Sequence, residues 1–253
     1  MLVGNDWAYL HRFIGTVLVS RAIGQRQDKY DKISAMKTLL FTAVALVGTA
    51  ASAAELFNGK DLTGWTSVAD FNATGGYTAS EPTWYVADGA IRSTGTPFGY
   101  LRTKRADFAD FKLELEYRWW RKTENPNSGI FLRLADENGS FIPKCYENQL
   151  QPASVCSLFA LGGSILEGVT PRNPYNPNDA LSGIAAAPAK AQSTEKPAGE
   201  WNRLKIIVKG DEVSSYLNGV LMNRVKGVKT AKGAIALQSE GGAIEFRAIT
   251  IEE

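Results

Sequence analysis

Apolar and polar residues alternate with a period of two along most of the chain after residue 53. The clearest case is residues 111–120, whose alternate positions divide into an apolar face and a mostly polar face. Successive side chains of a β-strand point to opposite sides of the sheet, so this period predicts a strand. The same pattern predicts further strands at 84–86, 90–93, 100–103, 130–135, 204–209, 213–217, 235–238 and 243–251.

Turn signals separate several of these predicted strands. Asn218-Gly219 and Asp88-Gly89 are dipeptides that favour tight hairpin turns. No part of the chain after residue 53 carries a long period of 3.6 residues. Many short strands joined by turns predict an all-β fold, a sandwich of two antiparallel sheets with one long irregular loop. Because we find no repeat and no linker, residues 54–253 are predicted to form one domain.

The first 53 residues differ from the rest. Residues 36–53 resemble a secretory signal peptide, with the positive Met36-Lys37, an apolar stretch at 38–48 and the small-residue motif Ala51-Ser52-Ala53. That apolar stretch is too short to span a membrane. We therefore expect a secreted or periplasmic protein and regard residues 1–35 as a non-native upstream extension. A long positive region of the signal and a buried N-terminal helix are the alternatives.

Composition and charge exclude several classes of protein. The 253 residues are 44% hydrophobic and 21% charged, which is typical of a globular domain. The formal net charge is +2, but residues 1–53 carry six of the 28 basic and three of the 26 acidic residues. The remainder is close to neutral and has no basic patch, so we expect no nucleic-acid partner. The oligomeric state is left open.

The shortage of histidine limits the chemistry. His11, in the predicted extension, is the only histidine of the sequence. A Ser-His-Asp or Cys-His mechanism is therefore excluded for the mature protein, and no metal-binding or nucleotide-binding motif is present. Acid–base chemistry must fall to carboxylates, Lys or Tyr.

Polar side chains on consecutive predicted strands form the main candidate site. If neighbouring strands share one sheet, the side chains that point away from the core share one polar face. Carboxylates, guanidinium groups and amides on one face suit sugar hydroxyls, and Trp119 or Trp120 could stack on a sugar ring. A charged surface with cross-strand ion pairs is the alternative. The outward residues are Glu114, Glu116, Arg118, Arg133, Glu147 and Gln149.

Two features near the middle of the chain leave alternatives open. Residues 157–200 contain five prolines, and a loop of this length is expected to be either a lid or rim over the binding face or a solvated loop. Cys145 and Cys156 could form a disulfide in an exported protein, but their side chains could also point apart.

The sequence resembles the 3-keto-disaccharide hydrolase domain family, formerly called domain of unknown function 1080. The resemblance follows the family's order over nearly all of residues 54–253. It departs from the family's pattern between Gln149 and Trp201, where this chain has its own long loop. The matching stretches include LFNGKDLTGW (56–65), WYVADGAI (84–91), FADFKLELEYRW (108–119), NSGIFLRL (127–134), YENQL (146–150) and GAIALQSEGGAIEFRAITIEE (233–253).

This resemblance implies a concanavalin A-like jelly roll and an enzyme that acts on glycosides oxidised to a ketone at C3. Such a ketone acidifies the hydrogen on C2, so a carboxylate can remove it, the group on C1 can leave, and water can add back. The hypothesis assigns Glu147 as the base, Arg133 and Gln149 as the partners of the ketone oxygen, and Glu116 or Tyr146 as the aid to the leaving group. Further candidate substrate-binding residues are Asn127, Arg118 and Trp120.

Several alternatives to this chemistry stay open. Glu116 and Glu147 could act as a direct two-carboxylate glycosidase, in which the distance between them would set the stereochemistry. No cofactor is certain, although a divalent cation could polarise the ketone. The end point could be elimination rather than hydrolysis. The rival class is a non-catalytic, lectin-like module that binds carbohydrate, because the fold alone does not decide function.

Overall fold

The computed structural model describes residues 53–73, 82–136, 140–229 and 231–253. The predicted extension and all but the last residue of the predicted signal peptide lie outside the described residues. The described residues contain no helix long and apolar enough to span a membrane.

Fifteen β-strands lie within the described residues. In chain order they are β1 (Ala54–Glu55), β2 (Trp65–Asp70), β3 (Trp84–Ala87), β4 (Ala90–Ser93), β5 (Phe98–Thr103), β6 (Phe111–Trp119), β7 (Gly129–Asp136), β8 (Lys144–Gln149), β9 (Leu158–Leu161), β10 (Ala185–Ala187), β11 (Asn202–Lys209), β12 (Glu212–Leu217), β13 (Val220–Lys226), β14 (Ala234–Ser239) and β15 (Ile244–Glu252).

The strands form two antiparallel sheets. Sheet A has the order β13-β12-β11-β6-β15-β4-β3, with β1 paired to β15, and sheet B has the order β10-β9-β8-β7-β14-β5-β2. Neighbours within a sheet are often distant in sequence, since β14 lies between β7 and β5. The expected two-sheet jelly-roll sandwich is confirmed.

The main core fills the space between the sheets. The alternating strand β6 buries every second residue, from Phe111 to Trp119, against this core, as its period predicts. Sheet B contributes Ile130, Leu132 and Leu237 from the facing side. Burial of these apolar surfaces supplies the main stabilisation of the sandwich.

A second apolar cluster covers the outer face of sheet B, the face that points away from sheet A. It includes Tyr100, Phe131, Phe141 and Ala236, all buried. The sequence predicted a polar, solvated outer face, and for sheet B this prediction is wrong. Outward residues of β7 and β14 such as Phe131 and Ala236 are also apolar, so these parts of the strands are covered on both sides. Polar groups on this face are consequently recessed rather than exposed.

The long segment 157–200 is only partly a loop. It adds β9 and β10 to the edge of sheet B, because β9 pairs antiparallel with β8 and β10 pairs antiparallel with β9. Between these two strands, residues 178–181 reach the outer face of sheet B. Part of the segment therefore forms a rim over that face.

The two cysteines are both buried and free. Cys145 belongs to the cluster on the outer face of sheet B, whereas Cys156 belongs to the core between the sheets. The structure thus realises the alternative in which the two side chains point apart.

Candidate functional site

The predicted convergence of polar side chains on one face is wrong. Strand β6 lies in sheet A, whereas β7 and β8 lie in sheet B. The outward residues of β6, such as Glu116, are therefore separated from Glu147 by both sheets and the core between them. Packed sheets are about 10 Å apart, and the outer faces point in opposite directions. Glu116 and Glu147 cannot act on the same glycosidic bond.

On sheet A, the predicted residues form cross-strand ion pairs. Arg247 Nε donates to Glu116 Oε2 at 2.7 Å, and Arg118 Nε donates to the buried Glu245 at 2.5 Å. Trp120 Nε1 donates to the carbonyl of Ser93 at 3.2 Å. This arrangement matches the alternative prediction, a charged surface with cross-strand ion pairs. Glu116, Arg118 and Trp120 therefore lie on or beside sheet A and not on the face that carries Glu147.

Arg133 is tied to the backbone rather than free for a ligand. It lies at a bulge of β7 with a φ of 51°, and its side chain is only 1% exposed. Its guanidinium donates to three carbonyl oxygens, those of residues 109, 210 and 229, at 2.8 to 3.0 Å, and to Asp110 Oδ1 at 3.2 Å. The side chain is thus occupied at one end of the sandwich, contrary to the predicted role beside the ketone.

The side chains of Tyr146 and Gln149 are also engaged by the surrounding backbone, whereas that of Asn127 is not, within the part of the chain that the structure describes. The Tyr146 side chain packs in the main core, and its hydroxyl donates to the carbonyl of Ile165 at 2.7 Å and accepts from an amide N–H at 2.9 Å. Gln149 shares the outer face of sheet B with Glu147, but its Oε1 accepts the amide N–H groups of residues 150 and 151. Asn127 is half-buried beside β7. Its main-chain carbonyl accepts the amide N–H of Gly242 at 3.2 Å, whereas its side-chain Oδ1 is buried without a hydrogen-bond partner among the described residues.

Glu147 is a buried carboxyl on the outer face of sheet B. It is 4% exposed, and its Oε1 has no hydrogen-bond partner among the described residues. The carboxyl lies over Gly129 of the neighbouring strand, where a Cβ would be 2.1 Å from Oε1. Burial, and then the charge of Glu240, raises the pKa of Glu147 well above its usual range.

Gln238 and Glu240 complete this group, and the sequence analysis did not select them. Gln238 Nε2 donates to Glu240 Oε2 at 2.7 Å. Burial raises the pKa of Glu240 to about 7, partly offset by that hydrogen bond. The signal that could have found them is the alternation of β14, because Ala236, Gln238 and Glu240 occupy every second position.

A cleft of about 770 Å³ opens over Glu240 on this face. Its apolar wall is the tilted pair Phe98 and Phe141, with ring centroids 5.5 Å apart. The end of β2 and the rim segment 178–181 form the other sides, and they add amide and carboxylate groups from Asn72, Asn178, Asp70 and Asp179. An aromatic wall with several amides and a recessed carboxylate is chemically suited to a hydroxyl-rich ligand such as a sugar.

The raised pKa of Glu240 makes stability depend on pH. A carboxyl with a higher pKa in the folded than in the unfolded state favours folding at low pH, and this contribution is lost as pH rises from about 4.5 to 7. We expect this group alone to lower the free energy of unfolding by about 2 to 3 kcal/mol between pH 5 and pH 8. Urea unfolding at both pH values should show a smaller decrease for E240Q than for the wild type. Equal decreases in the two proteins would contradict the assignment.

The described residues contain no group of three or more His, Cys, Asp or Glu side chains arranged to hold a metal ion. The chemistry that these residues offer near Glu240 is that of carboxylates and amides.

Fold and site together define a class of protein. The structure is a concanavalin A-like jelly roll that carries a recessed pair of carboxyls beside an open cleft. The chain belongs to the 3-keto-alpha-glucoside-1,2-lyase-like domain family, which matches residues 52–252, and the resemblance seen in the sequence is thereby confirmed. This membership makes its function carbohydrate-related.

Similar solved structures share this fold. One is a protein from Parabacteroides distasonis, provisionally assigned as a glycosyl hydrolase, with 18% identity, a TM-score of 0.54, and coverage of 79% of this chain and 93% of that chain. Another is the carbohydrate-binding module CBM66 from Bacillus subtilis, with 14% identity, a TM-score of 0.53, and coverage of 75% and 96%. No curated protein matches the chain.

Proposed function

We propose that this protein is an enzyme that cleaves the glycosidic bond of 3-keto-glycosides in the cleft on the outer face of sheet B. The observation that carries the proposal is Glu240, a carboxyl with a pKa of about 7 that lines this cleft. A general base is most effective when its pKa lies near the working pH. Family membership supports a keto-sugar as the substrate.

Glu240 takes the role of base that the sequence assigned to Glu147. Glu147 is 4% exposed and does not line the cleft, so a sugar in the cleft would meet Glu240 first. Glu240 removes the hydrogen on C2, which the ketone at C3 has acidified. The C1–O bond then breaks, a C1=C2 double bond forms, and the proton on Glu240 can pass to the leaving oxygen. Addition of water across the double bond gives net hydrolysis.

The developing charge on the ketone oxygen needs a partner other than Arg133. Arg102 lies on the same outer face, because its strand pairs it with Ala236 of β14. Its side chain is half-buried beside the apolar cluster, where a positive charge is less screened than on the open surface. Arg102 does not itself line the cleft but lies four residues along β5 from Phe98 of the cleft wall, and its long side chain is the proposed partner of the ketone oxygen.

A divalent cation is the alternative partner of this oxygen. The two possibilities differ in their response to a chelator. Turnover that persists in EDTA and falls in Arg102→Met supports the guanidinium. Turnover that is lost in EDTA and restored by added Mg²⁺ or Ca²⁺ would assign the role to a cation.

The proposal predicts that the protein cleaves a 3-keto-disaccharide but not its unoxidised parent. The reason is that the C2 hydrogen of the parent is not acidic enough for a carboxylate to remove. The purified protein is incubated with each sugar, and the products are followed by mass. Cleavage of both sugars would instead indicate an ordinary glycosidase. Binding of either sugar without cleavage would indicate a carbohydrate-binding module.

A further inference from the structure

Glu147 is a buried carboxyl that the proposed reaction leaves without a role. It lies on β8 and crosses over Gly129 of β7, since a Cβ on this glycine would be 2.1 Å from Oε1 and 2.8 Å from the carboxyl carbon. Any side chain at position 129 would displace the carboxyl. The glycine therefore allows Glu147 to reach across β7 toward the next strand.

That next strand is β14, and the residue beside Gly129 is Gln238. Leu237 of β14 pairs with Ile130 of β7, so the following pair brings Gln238 next to Gly129 on the outer face. The hydrogen bond from Ser128 Oγ to the carbonyl of Gln238, at 2.8 Å, fixes the same register. Both side chains, Glu147 and Gln238, thus converge over one glycine.

Each of these two side chains has one buried oxygen without a partner among the described residues. The atoms are Glu147 Oε1 and Gln238 Oε1, and both residues are almost fully buried. Two acceptors cannot satisfy each other. One proton on the Glu147 carboxyl would satisfy both, because the carboxylic acid can donate to the amide oxygen.

We propose that Glu147 is held in its protonated form and positions Glu240 through Gln238. The O–H of Glu147 donates to Gln238 Oε1, and Gln238 Nε2 donates to Glu240 Oε2, at 2.7 Å. Without the first bond, the amide could turn over and present its oxygen to the Glu240 carboxylate. Glu147 is therefore a positioning residue, and this role rests on the proposed function of Glu240 as the base.

The charges around Glu147 agree with a neutral carboxyl. Burial and the nearby Glu240 both disfavour its ionised form. Asp70 and Asp179 line the cleft beyond Glu240, and Tyr100 and Cys145 occupy the same face. Arg102 of β5 is a positive group on this face, because its strand pairs it with Ala236 of β14. Two strands, β7 and β14, separate it from β8, which carries Glu147.

The test compares E147Q and E147A by the pH profile of turnover. In E147A the amide of Gln238 loses its donor, so we expect kcat to fall by about 10- to 100-fold because the base is misplaced. The low-pH limb, which reports Glu240, should also move to higher pH, since the bond from Gln238 lowers the pKa of Glu240. In E147Q the new amide can donate as the acid did, and most of the lost turnover should be rescued.

A second variant keeps the test informative if E147A does not fold. Gly129→Ala keeps the glutamate at position 147 but displaces its carboxyl group. This variant should show the same shift of the low-pH limb as E147A. E116Q is the matched control, because Glu116 lies on the outer face of the other sheet. If E147Q loses as much turnover as E147A, Glu147 acts as the base and the proposal is overturned. If the low-pH limb of the profile is unshifted in both E147A and Gly129→Ala, Glu147 has a purely structural role, and the proposal is likewise overturned.

NMR of the protein labelled with ¹³C at the glutamate carboxyls separates this proposal from the function it rests on. The Glu147 signal, assigned by its absence in E147Q, should report a protonated acid at pH 7. The Glu240 signal should titrate near pH 7, and the midpoint of this titration should move to higher pH in E147A. These results would stand even if no keto-sugar were cleaved. An ionised Glu147 at pH 7 would refute the proposal whatever the activity.

Discussion

Replacing Glu240 by Gln is expected to lower kcat on a 3-keto-disaccharide by about 100- to 10,000-fold, the usual contribution of a positioned general base. Gln has nearly the same shape and can still bond to Gln238, but it cannot take the C2 proton. Because sugar binding uses the walls of the cleft, KM should change much less. Steady-state kinetics of E240Q beside the wild type, with circular dichroism to check the fold, makes the measurement.

The control for this prediction is E116Q, which also replaces a carboxylate on an outer face. Glu116 bonds to Arg247 on sheet A, so its loss should leave kcat within about twofold and stability within about 1 kcal/mol. A second readout is exchange of the C2 hydrogen with deuterated water, which E240Q should slow as strongly as cleavage. Rapid turnover by E240Q would remove Glu240 from the mechanism.

The fold could be predicted because alternation is a local property of each strand. Residues 111–119 bury every second side chain whichever strand lies beside them. The choice of partner is not local. Strands β6 and β7 follow one another in sequence, yet the chain crosses from sheet A to sheet B between them. Nothing in the alternation marks that crossing, and this is why Glu116 and Glu147 were placed on one face.

The candidate site was predicted only in part, because the pairing of strands that are distant in sequence cannot be predicted from local alternation. The sequence selected Glu147, but Glu240 reaches it only because β14 inserts between β7 and β5. Such pairing between residues about a hundred positions apart is decided by packing of the whole sandwich. The buried outer face of sheet B was also missed. Its cover comes from segments outside the regular strands, such as Phe141 and the rim at 178–181.

Arg133 shows how an apparent functional residue can be part of the scaffold. Its side chain is 1% exposed and bonds to three carbonyls that belong to three separate segments, the one before β6, the β11–β12 turn and the one before β14. A guanidinium has five N–H donors in a fixed plane, so it can join several backbone segments at once. At a bulge with positive φ, this residue fixes how one end of the sandwich closes.

Arg133→Met is therefore expected to lower the free energy of unfolding by about 3 kcal/mol, because buried carbonyls lose a charged donor. For a chain of this size the corresponding fall in Tm is about 6 to 12 °C. Arg203→Met is the control, since its pairing with Glu114 at 3.2 Å is largely exposed and should contribute less than about 1 kcal/mol. Thermal unfolding and kcat are measured on the same samples. The kcat measurements are made at a temperature below the lower of the two Tm values. The folded Arg133→Met protein should keep its kcat, because the guanidinium is distant from the cleft over Glu240 and acts only on the scaffold. If kcat fell a hundredfold while Tm stayed unchanged, Arg133 would instead have the role that the sequence predicted, as the partner of the ketone oxygen.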